Sequence, residues 1–591
     1  MTGHRTFTEL IQEQAARTPD REALILLGER SGALWPRTVS YAELDRAARV
    51  LAGRLLRHTG PGERALVVHR GRAAFATSFL ACLYAGVVAV PVAPPGGRAH
   101  HDERIAGIVK DAAVSCALTS TGEAAEVSQL LARTGHGHVT CVLTDAPVPA
   151  ELRPDSESTG AAPASGSGAA RRTAGAFPAG RSGAPGSTPA PEAAAFLQYT
   201  SGSTREPRGV VVSHGSLLAN LRAIGDALGT RPGIRLGGWL PFHHDMGLVG
   251  QLLLPLWLGG TAVLLSPAAF VKRPAHWLET ISRYRLAVSG APDFAYELCV
   301  RRINDSQLAG LDLSHWRVAV SGGEPVNPDT LRAFAERFAP AGLRPEALVC
   351  CYGLAEATLL VSGSATAPAL SGSGAGQAHC GPAASCDIRI VDPETCEELP
   401  EGRTGEIWVR GPGVAAGYWA RPAETAAAFD GHLASGRGGH LRTGDLGTLQ
   451  GGLLRVTGRI KDVIVVAGRN LYPQDLERTV QRVTGLFGAG TAFAVPGERE
   501  RIVVVQELRA RSHYDIDLGA LASAVQQRLR EEHEVTAGAV LLVRPGTVRR
   551  TTSGKVERAA MRRLFLRGEV RALHQRVEPE IERLVTPGRR R

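Results

Sequence analysis

Lysine is nearly missing from this chain. It stands at positions 110, 272, 461 and 555, and arginine fills the other 63 of the 67 basic places. Apolar leader sequence is missing too: Glu9, Glu13, Asp20, Arg21 and Glu22 break up the first 27 residues, which excludes a secretory h-region and predicts a cytoplasmic protein. There is no C-x-x-C and no H-E-x-x-H, and Cys380, Cys386 and Cys396 are spaced too loosely for a zinc knuckle. The cysteines number nine, an odd count without scaffold spacing, so reduced thiols are expected rather than disulfides. No G-x-S-x-G elbow is present, which argues against a serine hydrolase. The formal charge is +10, yet the arginines are scattered and form no basic stripe interleaved with aromatics, so nucleic acid is not an expected partner. The uncharged run Met246–Val271 is long enough to span a bilayer. Pro255, Gly259-Gly260 and Pro267 divide it into a short helix, a turn and a strand at Thr261–Leu265, and no membrane span is expected.

What is present is globular. With 591 residues, 44% hydrophobic and 21% charged, the chain has length for two to four domains and too much apolar content for global disorder. Helical periodicity over Tyr41–Leu56 and Arg72–Tyr84 alternates with the apolar runs Ala65–Val68 and Gly86–Val92, the pattern of a layered α/β fold. Glu157–Pro191 is so rich in Ala, Gly, Ser and Pro that it reads as a disordered surface insertion. From about Gly458 a smaller unit begins, with strands at Thr491–Val495 and Ile502–Glu507, a helix at Leu518–Glu532 and a basic tail, Arg589–Arg591.

Chemistry concentrates in a few short runs. A strand at Ala193–Gln198 feeds Tyr199-Thr200-Ser201-Gly202-Ser203-Thr204-Arg205-Glu206-Pro207-Arg208-Gly209, and a second strand follows at Val210–Val212. Hydroxyls, glycines and backbone N–H groups at such a junction make a cradle for phosphate. Alone, the run is equally an ordinary turn, and it lacks the P-loop spacing. A strand at Trp316–Val320 leads to Ser321-Gly322-Gly323-Glu324-Pro325 and then a helix from about Pro328, a place where open α/β sheets bind nucleotides. Val349–Tyr352 repeats the arrangement and enters Tyr352-Gly353-Leu354-Ala355-Glu356-Ala357-Thr358, where a tyrosine can stack on a base and a carboxylate can hold Mg²⁺. Asp445, on the turn of Leu441-Arg442-Thr443-Gly444-Asp445-Leu446, is placed to accept ribose hydroxyls or to form a plain Asx turn. Gly458-Arg459-Ile460-Lys461-Asp462 follows. Lys555 closes the hydroxyl-rich Thr551-Thr552-Ser553-Gly554, and in so arginine-biased a chain a compact ammonium there suits a mobile reach that a planar guanidinium does not.

In this order the runs resemble the adenylate-forming superfamily of acyl-CoA synthetases, luciferases and adenylation domains, over about Phe7–Arg563. Phe196–Arg205, Pro241-Phe242-His243-His244-Asp245-Met246-Gly247-Leu248, Ala291–Tyr296 and Tyr352–Thr358 resemble its fatty-acyl-AMP ligases in particular. The resemblance implies a large N-terminal α/β adenylation domain, 1–457, with 157–191 as an insertion, and a small mobile C-terminal α+β lid, 458–591, turning about Lys461. It implies activation of a fatty acid by ATP and Mg²⁺ to an acyl-adenylate, then transfer to a phosphopantetheinylated acyl carrier protein in trans, or alternatively to CoA. By motif, Thr200, Ser201, Gly202, Ser203 and Thr204 hold phosphate. Gly323, Glu324, Pro325, Tyr352, Gly353 and Thr358 surround the nucleotide base, and Glu356 with Thr200 takes the metal. Asp445 binds ribose, Arg459 lies near phosphate, and Lys555 bridges the carboxylate and the α-phosphate. His244 and Asp245 stand in the active site, more as shapers of the acyl pocket than as an acid–base pair, because the attacking carboxylate is already ionised. Two departures stand out: Arg208 replaces the usual loop lysine, and Val361–His379 is short and poor in apolar anchors where these ligases carry a CoA-excluding insertion.

Overall fold

The computed structural model describes residues 6–30, 32–96, 99–146, 189–199, 207–370, 378–466, 469–495, 500–509, 516–551 and 555–585. Glu157–Pro191 lies outside them apart from its last three residues, as do Thr200–Glu206 and Thr552–Gly554.

Two compact units divide the chain. The first comprises Met1–Thr200, Glu206–Ile388 and Trp408–Arg442; the second comprises Ser201–Arg205, Arg389–Ile407 and Thr443–Arg591. This is an α/β architecture with a large N-terminal and a smaller C-terminal body.

Two sheets build the first unit. One has six strands in the order Thr140–Leu143, Cys116–Thr119, Arg64–Val68, Val88–Val92, Ala194–Tyr199, Gly209–Ser213. The other has eight, in the order Leu360–Ser362, Leu348–Gly353, Val318–Gly322, Val288–Ala291, Arg235–Gly238, Thr261–Leu265, Glu22–Arg30, Ala33–Ser40. The interior strands are parallel and covered by helices on both faces. Their sequences are therefore continuous apolar runs such as Val88-Ala89-Val90-Pro91-Val92, buried throughout. Each fully buried Val or Leu contributes about 1.5–3 kcal/mol relative to exposure. Helix starts follow local chemistry: Ser40 and Glu43 form a reciprocal capping box at Tyr41–Leu55, and Thr6 and Glu9 do the same at Phe7–Arg17.

Met246–Val271 folds as a π-helical stretch Met246–Leu253, a turn of helix Leu254–Trp257 and the buried strand Thr261–Leu265. Among the described residues no helix is long and apolar enough to cross a membrane. All nine cysteines are free.

The second unit carries a β-α-β element, Arg501–Leu508, helix Leu518–His533 and parallel strand Ala537–Val543. Phe487–Val495 and Ala572–Val577 flank these strands antiparallel. Its core joins Leu476, Val504, Val525 and Leu542 on one side of the sheet and Val503, Leu541, Met561 and Phe565 on the other.

Candidate functional site

In the first unit the motif residues collect where parallel strands end. Val318–Gly322 and Leu348–Gly353 run side by side, and the glycine turn and the Tyr352 motif leave their carboxyl ends together. Gly323 has φ +79°, a left-handed turn that glycine enters at no steric cost. At Gly353 an added Cβ would collide with the carbonyl of Leu359. Glu324 Oε1 accepts the Phe294 N–H at 2.9 Å, and Asp293 Oδ1 accepts the Asn327 N–H at 3.0 Å. The Asp293 carboxyl is packed about by protein although part of its surface stays accessible. Desolvation, with the negative charge of Glu324 second, pushes its pKa up to about 8, so it is mainly a neutral acid at pH 7.

Tyr352 is buried at the end of its strand. Glu356 follows in the short turn Ala355–Ala357, and Tyr418 Oη donates to Glu356 Oε1 at 3.0 Å. Thr358 has φ +66°, and its hydroxyl donates to the Gly413 carbonyl at 2.8 Å, so here the side chain braces the turn.

The phosphate-loop residues Thr200, Ser201, Gly202, Ser203 and Thr204 lie outside the described residues; their flanks do not. Tyr199 Oη donates to Asp111 Oδ2 at 2.7 Å. Arg421 reaches the other oxygen of Asp111 through Nη2 at 2.8 Å and Glu424 Oε1 through Nη1 at 2.9 Å. Arg208 Nε pairs with Glu424 Oε2 at 2.8 Å. Gly209 admits no side chain, because a Cβ would stand 2.8 Å from the Tyr199 ring. Asp111, Tyr418, Arg421 and Glu424 are absent from the motif reading. Gly417-Tyr418-Trp419-Ala420-Arg421-Pro422, an aromatic pair and a cation just before a helix-starting proline, is a local signal at Tyr418 and Arg421, and it does not reveal their distant partners.

His243 and His244 stack obliquely with ring centroids 4.7 Å apart, and Gln198 Nε2 donates to the His243 carbonyl at 2.9 Å. Burial, with nearby cationic groups adding to it, drives the His243 pKa down to about 3, so this imidazole is neutral at physiological pH. Asp245 Oδ1 accepts the Met246 N–H at 2.7 Å at the start of the π-helical stretch. Arg72 reaches in from the first turn of its helix, donates to the carbonyls of Trp239 and Leu240 at 2.6 and 2.9 Å, and lies 4.4 Å over the Phe242 ring.

Asp445, Arg459, Lys461 and Lys555 belong to the second unit. Asp445 is buried in the strand Leu441–Gln450 and faces Arg459 across the hairpin, with Arg459 Nε 2.7 Å from Asp445 Oδ1. Gly458 beside it has no room for a Cβ, which would lie 2.8 Å from the Tyr472 ring. Lys461 is exposed in the turn Ile460–Asp462. Lys555 is tied to Thr551: its N–H donates to Thr551 Oγ1 at 3.1 Å, the Thr551 N–H returns to the Lys555 carbonyl at 2.8 Å, and Arg550 bridges to Val556.

The family model "AMP-binding enzyme" matches residues 11–419, and "Disco-interacting protein 2-like, AMP domain" matches 461–575. The chain belongs to the AMP-binding enzyme family. This family member is 37% identical to a 4-hydroxyphenylalkanoate adenylyltransferase of Mycobacterium tuberculosis, over 95% of this chain and 92% of that protein. It is 35% identical to the medium-chain-fatty-acid–[acyl-carrier-protein] ligase JamA of Moorena producens, over 97% of each. A fatty acyl-adenylate ligase of Legionella pneumophila, solved with acyl adenylate and pyrophosphate, superposes with a TM-score of 0.68 at 29% identity, covering 97% of this chain and 98% of that one. The resemblance drawn from the motifs is therefore met: this is an ATP- and Mg²⁺-dependent adenylating enzyme of the adenylate-forming superfamily, kin to the fatty acyl-AMP ligases.

Proposed function

We propose that this AMP-binding enzyme joins a fatty acid to AMP, releasing pyrophosphate, and hands the acyl group to a phosphopantetheinylated carrier protein in the cytoplasm. The observation that carries the reading is the gathering, within one compact unit, of the Gly323–Pro325 turn, Tyr352, Glu356 and both flanks of the Thr200–Thr204 loop. Relatives named for adenylyl transfer and for carrier-protein ligation support it.

The carboxylate substrate is already a nucleophile, so positioning and charge neutralisation are what the protein has to supply. Tyr352 and the Gly323–Pro325 turn frame adenine, and Gly353 allows the backbone to turn away beneath it. Thr200–Thr204 cradle phosphate through N–H and hydroxyl groups, with Arg208 beyond them. Asp445 holds ribose, Arg459 stands by the phosphates, and Lys555 draws the acyl carboxylate and the α-phosphate together. His244 and Asp245 shape the acyl pocket, in which each buried methylene is worth about 0.8 kcal/mol. The division into 1–457 and 458–591, with Lys461 as hinge, lets the second body bring Lys555 in for adenylation.

Glu356 offers hard carboxylate oxygen, the donor Mg²⁺ takes alongside substrate phosphates, and Thr200 adds a hydroxyl. Bound there, the metal neutralises phosphate charge.

The test is product identity. Purified enzyme given fatty acid, ATP and Mg²⁺ should accumulate acyl-AMP and, offered holo carrier protein and CoA together, should charge the carrier. Dominant acyl-CoA by mass spectrometry would move the acceptor to CoA. Absence of fatty-acid-dependent ATP–pyrophosphate exchange would end the reading altogether.

A further inference from the structure

The segment Ala415–Arg421 contacts two of the elements proposed to bind nucleotide. The Ala415 N–H donates to the carbonyl of Glu356 at 2.9 Å. Ala416, Gly417 and Trp419 bond to Val211 and Gly209 at 2.8–3.0 Å, so the segment runs as a partial extra strand along the strand that leaves the phosphate loop. Tyr418 sits in the middle. Its N–H donates to Thr425 Oγ1 at 3.0 Å, its ring packs edge-on against Phe429 at 5.2 Å, and Arg208 lies 5.5 Å over the same ring. Only 7% of the residue is exposed, and its hydroxyl points at Glu356.

We propose that Tyr418 is a positioning residue for the metal-binding carboxylate of Glu356, held in register by the ion-pair chain Arg208–Glu424–Arg421–Asp111. The inference rests on the reading of Glu356 as the magnesium ligand. Mg²⁺ demands near-octahedral oxygens at 2.0–2.1 Å and tolerates little ligand wander. A glutamate in a short turn has three side-chain torsions to fix, and a phenol O–H on Oε1 fixes the carboxylate plane. Partners of this kind behind a ligand typically matter 10–100-fold in metal affinity. The ion-pair chain explains why the ring keeps its place. Arg208, pinned by Glu424 at 2.8 Å, covers the ring face, and Arg421 ties Glu424 to Asp111, which also holds Tyr199 at the entry of the phosphate loop. One network thus joins Glu356 to Tyr199 and Arg208, the described flanks of the phosphate loop.

Tyr418→Phe removes the hydroxyl and keeps the ring. The probe is Mn²⁺ with a non-hydrolysable ATP analogue, and the readout is bound Mn²⁺ by electron paramagnetic resonance. Expected is an Mn²⁺ Kd raised about tenfold, an unchanged KM for fatty acid, and a melting temperature close to wild type. Glu356→Gln run in parallel separates the two ideas. If Glu356→Gln weakens Mn²⁺ and Tyr418→Phe stays within twofold of wild type, the positioning role is overturned and the ligand assignment stands. If Glu356→Gln leaves Mn²⁺ binding intact, the ligand assignment falls and the proposal with it. Should Tyr418→Phe fold poorly, Glu424→Gln decides: loosening Arg208 should weaken Mn²⁺ about twofold to fivefold, in line with a partly exposed ion pair, and no change would overturn the proposal.

Discussion

Replacing Asp293 by asparagine should make the protein more stable, and only at the right pH. An ordinary aspartate ionises near 3.8, whereas Asp293 is pushed up to about 8 by desolvation and by Glu324. A carboxyl whose pKa is raised by folding binds its proton more tightly in the native state than in the unfolded one. Its contribution is fully present below about pH 4 and is lost as pH climbs through 8, because the unfolded chain gains stability by ionising. Over the interval from 3.8 to 7 the loss amounts to roughly 4 kcal/mol as an upper figure. Asparagine stays neutral and keeps a carbonyl oxygen for the Asn327 N–H, so it escapes that penalty. The assay is urea-dependent pulse proteolysis of wild type and Asp293→Asn at half-unit steps from pH 4 to 8.5. The variant should match wild type at pH 4, pull ahead from pH 5, and level off near pH 8. A stability difference that does not change with pH, or one of opposite slope, refutes the reasoning.

Lys555→Ala should cut acyl-AMP formation about 10²–10³-fold, as removal of a transition-state charge contact does, while equilibrium dialysis still finds ATP bound; fatty-acid-dependent pyrophosphate release within a few-fold of wild type would refute its role. Gly209→Ala forces a Cβ to 2.8 Å from the Tyr199 ring, whose hydroxyl is held by Asp111, and should cost about 1–3 kcal/mol by overpacking and raise the KM for ATP, both read from melts and steady-state kinetics. Deleting 157–191 and closing the gap with a short Gly/Ser linker should leave adenylation near the wild-type rate, since loop length enters stability only logarithmically; collapse of folding would show that the segment packs.

Local chemistry makes much of the fold legible in the sequence. Arg72–Tyr84 and Thr261–Leu265 have the observed bounds because Gly71, Gly259-Gly260 and Ser266 punctuate them. The glycine-turn strand is less readable: Trp316 suggests an earlier start, but it is a buried aromatic bonded through Nε1 to the Val318 carbonyl, and the strand spans Val318–Gly322. The site divides in the same way. Glu356, Tyr352 and Asp445 are marked by neighbours in sequence. Asp111, Tyr418 and Arg421 act across separations of 62 to 310 residues, and no local pattern reports such partners. Arg72 has the same disguise, reading as an ordinary first-turn helix residue while it grips carbonyls 167 and 168 positions away.

The hairpin pair Asp445–Arg459 has a further consequence. The proposed sugar ligand and the proposed phosphate neighbour are joined by one 2.7 Å contact, so the two ends of a nucleotide are sensed by a single unit rather than by independent residues. Losses from Asp445→Asn and Arg459→Gln should therefore overlap, the double variant falling well short of their sum. A nucleotide analogue altered at its 2′-hydroxyl should also feel the Arg459 change, through the shared contact with Asp445.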